Sequence, residues 1–161
     1  MVINNPTNKI WRGRIIRYAP LILWVAVIFI NSSTVGASNN TSRIIRPLLE
    51  WLFPATSPVT LDLYHGYIRK LAHFTEYGVL GILATRSFWQ SSQNILRKFR
   101  FVWAVLLVVL VAAADEYNQS FNSLRTGSAY DVLLDISGGL SAIAAFYIIK
   151  NCRKASYKIP S

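Results

Sequence analysis

Arg69-Lys70-Leu71-Ala72-His73-Phe74-Thr75-Glu76-Tyr77-Gly78 leads into a mainly apolar run that ends at Trp89. A Lys, a His, a Glu and a Tyr therefore stand at the mouth of a segment that otherwise reads as membrane-buried. As a helix, the 19 residues from Leu71 to Trp89 span about 28 Å at about 1.5 Å per residue, close to the thickness of a bilayer's hydrocarbon core. A partner stretch, Asp115-Glu116-Tyr117-Asn118-Gln119 through Arg125 to Asp131 and Asp135, puts polar groups at the junction of two more apolar runs.

Composition agrees. Of 161 residues, 53% are hydrophobic and only 15% charged, with a mean hydropathy of +0.34, which is too apolar for an ordinary soluble domain. The single cysteine, Cys152, excludes an intramolecular disulfide and a Cys-type zinc site.

Outward from the opening stretch, three more runs read as spans: Tyr18 to Ile30, Phe101 to Ala114 continuing toward Gln119, and Val132 to Ile149. In the first, Pro20 falls in the expected first turn, where its missing N–H costs little. A cleaved signal peptide competes for this segment, with Val35-Gly36-Ala37 as the small-residue cleavage positions, but Trp24, Phe29 and the downstream spans favour an anchor. Phe101 to Ala114 would suit a buried strand in a soluble protein; its length and polar end favour a helix. The helix that carries the Leu71–Trp89 span is expected to start near Thr60 or Asp62, both good N-caps after Pro58. Ser91 to Arg100 reads as a short polar turn, and Ser120 to Ala129 as a loop turning at Gly127. Between the first two spans, Ser42–Phe53 carries Ile44, Ile45, Leu48, Leu49 and Leu52 at helical spacing, with Trp51 and Phe53 beside them. This predicts a short helix lying on the membrane surface. The fold expectation is an all-α integral membrane protein: a four-helix transmembrane bundle over residues 18–150 with that interfacial helix after the first span. A basic N-terminus (1–17) and a basic tail (151–161) flank it.

The net charge of +10 is a topology signal. Lys9, Arg12, Arg14, Arg17, Arg86, Arg97, Lys98, Arg100, Lys150, Arg153, Lys154 and Lys158 all fall on one side of a four-span layout, and that side holds no acid. Arg43, Arg46, Arg69, Lys70 and Arg125 share the other side with all seven acids. By the positive-inside rule both termini are cytoplasmic, in the cell membrane. No basic face interleaved with aromatics suggests nucleic acid.

Every group of catalytic type then lies on the outer side. Lys70, His73 and Tyr77 fall within about 60° of arc on one helix face, with Glu76 about 60° further round from His73. Asp115, Asn118, Gln119 and Asn122 share a face of the third span, from which Glu116 is turned by about 100°. Asp131, Asp135, Gly138 and Ala142 share a face of the fourth, where Gly138 and Ala142 permit close helix approach. Structural ion pairing is the plain reading of such residues, because charge inside a membrane needs partners. Their number at one depth argues for a site. There, His73 with Asp115 or Asp131 makes an acid–base pair, and Lys70 and Arg125 suit a phosphate or carboxylate headgroup. Glu116 and Gln119 orient a water or hydroxyl, while Tyr77, Asp135 and Glu76 complete the ligand-holding wall. Two carboxylates with a His can also hold a divalent metal, but no fixed ligand spacing argues for one, and no cofactor is assigned.

The chain resembles the VanZ-like family of small bacterial membrane proteins. The likeness rests on Arg69 to Gly81, with its Lys-x-x-His-Phe-x-x-Tyr-x-x-Leu pattern, on Asp115-Glu116-Tyr117-Asn118-Gln119-Ser120-Phe121, and on Arg125 to Gly139. It covers about residues 18–150, and the residues it maps coincide with those chosen by topology. It implies a cell-envelope role, the family being named for a member associated with teicoplanin resistance. The reading that results is a membrane protein whose outward pocket binds or modifies an anionic lipid headgroup or lipid-linked cell-wall precursor. The alternatives are a small transporter, or a structural subunit docking a partner protein through its charged outer face.

Overall fold

The computed structural model describes residues 6–33, 38–121 and 128–156, without the side chains of 6–10, 38–40 and 154–156. Arg125, Asn122, the turn at Gly127 and the Val35-Gly36-Ala37 segment lie outside the described residues. The described chain is helical throughout: α1 (Pro6–Ser32), α2 (Ser38–Leu52), α3 (Pro58–Trp89), α4 (Asn94–Lys98), α5 (Arg100–Ser120) and α6 (Ala129–Ser156). The run of β-branched residues in α5 is helix, as its length requires. Three stretches are long and apolar enough to cross a membrane: Trp11–Ser32, Arg100–Ser120 and Ala129–Arg153. The 32-residue α3 has the length, but His73, Thr75, Glu76 and Arg86 make it less apolar than the others.

Several helix starts differ from the expectation: α2 begins at Ser38 rather than Ser42, α6 at Ala129 rather than Val132, and two others show a local cause. α1 begins at Pro6, so Pro20 sits in the helix interior rather than its first turn, leaving the carbonyl four residues before it without its amide partner. The basic residues before Tyr18 mark a change in polarity, which does not end a helix. α3 begins one turn earlier than Thr60 or Asp62. Ser57 is its N-cap, with Oγ accepting from the Thr60 N–H at 3.3 Å, and Pro58 occupies the first helical position. The Ser91–Arg100 segment also contains the one-turn α4.

α3 is central and packs most extensively on α6, then on α5 and α1. Leu21, Ile28, Tyr77, Leu80, Ala84, Ala104, Val108 and Ile143 form the core. The helices are also apolar outside: Leu23, Leu110 and Leu133 are 66%, 66% and 63% exposed, the pattern of a bundle whose solvent is lipid. Glycine sets the α3–α6 spacing. A Cβ on Gly81 would lie 2.7 Å from the Gly139 carbonyl oxygen, and one on Gly138 would overlap the Phe74 carbonyl and stand 3.0 Å from its Cα. Backbone cannot retreat as a side chain can, so the two helices touch main chain to main chain.

The two ends of the bundle differ in charge. At one, Arg17 donates to Ser92 Oγ (2.8 Å), Tyr18 O–H to Ser91 Oγ (2.9 Å) and Ser87 O–H to the Arg17 carbonyl (2.9 Å). There the Arg100 guanidinium stacks 3.8 Å from the Trp89 ring centroid, and Lys150 lies 5.9 Å from the same ring. The buried acids lie toward the opposite end.

α2 rests on the start of α3. Leu49 is buried, while Ile44, Leu48 and Trp51 are exposed. Arg46 bridges Glu50 (3.1 Å) and Asp62 (3.3 Å), and Thr41 Oγ1 lies 3.3 Å from His65 Nε2. Burial holds the His65 pKa below its usual 6.5, with Arg69 adding to the effect and Asp62 opposing it. The folded chain thus binds fewer protons at His65 than the unfolded one. Its contribution to stability is full above pH 6.5 and is lost as pH falls through the lowered folded pKa. Hydrogen exchange, corrected for intrinsic rates, should show α2 amides losing protection on acidification from pH 6.5 down through that window, and His65→Gln should remove most of the dependence.

Candidate functional site

Three helices supply the site, each through a pair of residues four apart, which places both side chains on one face. α3 contributes His73 and Tyr77, α5 contributes Asp115 and Gln119, and α6 contributes Asp131 and Asp135. The glycine contact fixes their axial register. Gly138 lies against Phe74, so Asp135, one turn before Gly138, comes level with His73. His73 Nδ1 stands 3.7 Å from Asp135 Oδ1, beyond direct hydrogen bonding. Tyr77 O–H donates to Asp115 Oδ2 (3.0 Å), and Gln119 Nε2 donates to the same oxygen (3.2 Å). Tyr77, Asp115 and Asp135 are 0%, 1% and 1% exposed, whereas the His73 side chain is 25% exposed. His73, Asp115 and Asp135 each offer a ligand atom within 4.8 Å of the others'.

The acid nearest His73 is thus Asp135, which the helical-face reading sets among the ligand-holding residues. Asp131 lies half-buried in the first turn of α6, about 6 Å back along the axis. Its amide bonds the Ser128 carbonyl at 2.9 Å, and its charge suits a helix N-terminus. Glu116, turned away from Asp115 as its position requires, is buried and accepts from the Ser128 N–H. Glu76 accepts from Asn31 Nδ2 (3.0 Å). Lys70 is exposed, and Arg125 is outside the described residues.

α1 adds residues that periodicity alone does not single out. Trp24 Nε1 donates to the Glu76 carbonyl (3.0 Å), and Ser32 O–H to the Asp115 carbonyl (3.4 Å). Their only sequence signal is a polar line, Trp24 and Asn31 seven residues apart, on the otherwise apolar half of α1 after Tyr18. Between α1 and α3 lies a groove of about 510 Å³ walled by Trp24, Val27, Ile68, Leu71 and Val79, with Asn31, Thr75 and Glu76 as its polar residues.

Fifteen residues separate Arg100 from Asp115, and Asp135 from Lys150, so the cluster lies about 22 Å from the basic end along both helices. Chemically it combines an imidazole open to one side with two buried carboxylates, one fixed by two donors. That set can exchange a proton, bind a cation or orient a polar headgroup.

A family model described as VanZ/LLP1 matches residues 18–150 of the chain. Neither the curated proteins nor the solved structures contain a match.

Proposed function

The chain belongs to the VanZ/LLP1 family, and from that premise we propose a cell-membrane protein that binds or modifies an anionic envelope amphiphile at its outer face. In this reading α1, α3, α5 and α6 cross the bilayer, α2 lies at the outer surface, and both termini are cytoplasmic. Trp89, Arg100 and Lys150 mark the inner boundary. The cluster about 22 Å away then falls near the outer edge of a core about 30 Å thick.

The groove carries the ligand assignment. Its walls suit an acyl chain, and at its polar end Glu76 connects two surroundings: its side chain meets α1, while its neighbour Tyr77 meets the buried cluster. A lipid headgroup or lipid-linked cell-wall precursor combines a tail for such a groove with an anion for Lys70 and Arg125. His73 is the proton-transfer group, with Asp135 nearest and Asp115 beside it. Glu116, Gln119 and Asp131 hold these partners and the start of α6 in place. A contribution to teicoplanin-type resistance would act through the same outer site. Transport is the weaker reading, since acids cluster at one end and none lies near the basic end to continue a path.

Native mass spectrometry of the protein extracted with its surrounding lipid tests this. The wild type should retain one anionic amphiphile per chain. Lys70→Ala and His73→Ala should reduce its occupancy about tenfold or more, as expected for losing a charge-assisted contact. The same lipid complement in all three proteins would refute the assignment.

A further inference from the structure

We propose that His73, Asp115 and Asp135 form a binding site for one divalent cation of the zinc type. This goes beyond the amphiphile reading and stands without it. Three observations support it.

First, the donors converge. An ion bound at about 2.1 Å by three tetrahedral ligands holds them about 3.4 Å apart. The ligand atoms of His73, Asp115 and Asp135 already lie within 4.8 Å of one another, so small side-chain rotations would close the set. Second, the buried oxygens lack partners. Both carboxylate oxygens of Asp135, and Oδ1 of Asp115, are buried without a hydrogen bond although each residue is 1% exposed. Among the described residues, neither Asp115 nor Asp135 pairs with a Lys or Arg. When both carboxylates of the cluster are ionised, a protonated His73 neutralises only half of their charge in an apolar bundle. A doubly charged cation matches it. Third, the surroundings orient the ligands. Tyr77 and Gln119 both donate to Asp115 Oδ2 and leave Oδ1 as the unpartnered oxygen, so the carboxylate is held in place as outer partners hold ligands at metal sites.

The chemistry selects among ions. An imidazole with two carboxylates favours zinc and its neighbours over magnesium or calcium, which prefer all-oxygen sets with more ligands. Three protein ligands leave a coordination position open, and His73 is the member exposed to reach it. The sequence conceals this arrangement because its ligands come from three helices and share no short spacing.

The test uses the full chain carrying Cys152→Ser, which removes the only thiol. The protein is stripped with chelator and titrated with zinc chloride, with metal content read by mass spectrometry after gel filtration. Parallel cobalt loading is read from its visible absorption. One zinc per chain is expected. Asp135→Asn and His73→Gln should weaken binding by at least about 100-fold, and Tyr77→Phe, which keeps every ligand, by about tenfold. Zinc should also raise the unfolding temperature of the parent chain and leave that of Asp135→Asn unchanged. Failure of the parent chain to take up stoichiometric zinc would overturn the proposal, whether or not the variants fold. Equal uptake by the parent and by folded Asp135→Asn and His73→Gln would overturn it too. Because the parent's lipid complement is measured separately, loss of either result leaves the other standing.

Discussion

Gly138→Leu should destabilise the protein by about 3 kcal/mol or prevent its assembly, the upper end of what overpacking costs. The added carbons enter space held by the Phe74 backbone, and relief requires α3 and α6 to separate along their closest contact. The same separation would draw Asp135 away from His73, so binding at the cluster should fail together with stability. Gly66→Leu is the matched comparison. It lies on α3, where an added Cβ would meet nothing within 4 Å, and it should be as stable as the parent or up to about 1 kcal/mol more so, since Gly is unfavourable inside a helix. Thermal unfolding in detergent, followed by circular dichroism, distinguishes the two. Equal behaviour would mean that glycine does not set the α3–α6 spacing.

The second large effect is expected at Asp115. Removing its carboxylate leaves the Tyr77 O–H and Gln119 Nε2 without their acceptor in a buried place. At about 1 kcal/mol for each orphaned donor, the cost is about 2 kcal/mol. A contrary effect must be separated from it, since losing one of two neighbouring buried acids also relieves repulsion. Asp115→Asn removes the charge and keeps an acceptor. In chelator-treated protein, Asp115→Asn should therefore be at least as stable as the parent, and Asp115→Ala about 2 kcal/mol less stable than Asp115→Asn. Tyr77→Phe should narrow that gap by removing one orphan. A gap unaffected by Tyr77→Phe would show that this hydrogen bond contributes nothing to the difference.

Much of this arrangement is legible from residue order. Fixed helical geometry groups His73 with Tyr77 and Asp115 with Gln119, and turns Glu116 away. What sequence periodicity does not contain is axial register between helices. Asp131 and Asp135 lie on one face of α6, and only the contact of Gly138 with Phe74 brings Asp135, rather than Asp131, level with His73. Register depends on how closely two backbones approach, which is a property of the pair. The start of α1 is hidden for another reason. Its basic residues record a polarity boundary, and a helix crosses such a boundary freely when its hydrogen bonds are internal. Ser57, by contrast, is a cap that the expectation of Thr60 or Asp62 passes over although the signal is local, because Ser followed by Pro is a strong helix start. Trp24, Asn31 and Ser32 matter through the partners that α1 meets in space, and no local pattern names those partners.

The side of the membrane that the cluster faces decides which molecules can reach it. Cys152, the only cysteine, is exposed near the end of α6, and this makes the orientation directly measurable. In intact cells, a membrane-impermeant maleimide should leave Cys152 unlabelled and label it after permeabilisation. In a Cys152→Ser background, a cysteine placed at exposed Ala129, at the opposite end of α6, should be labelled in intact cells. Labelling of Cys152 from outside, with Ala129→Cys protected until permeabilisation, would contradict an outward-facing site.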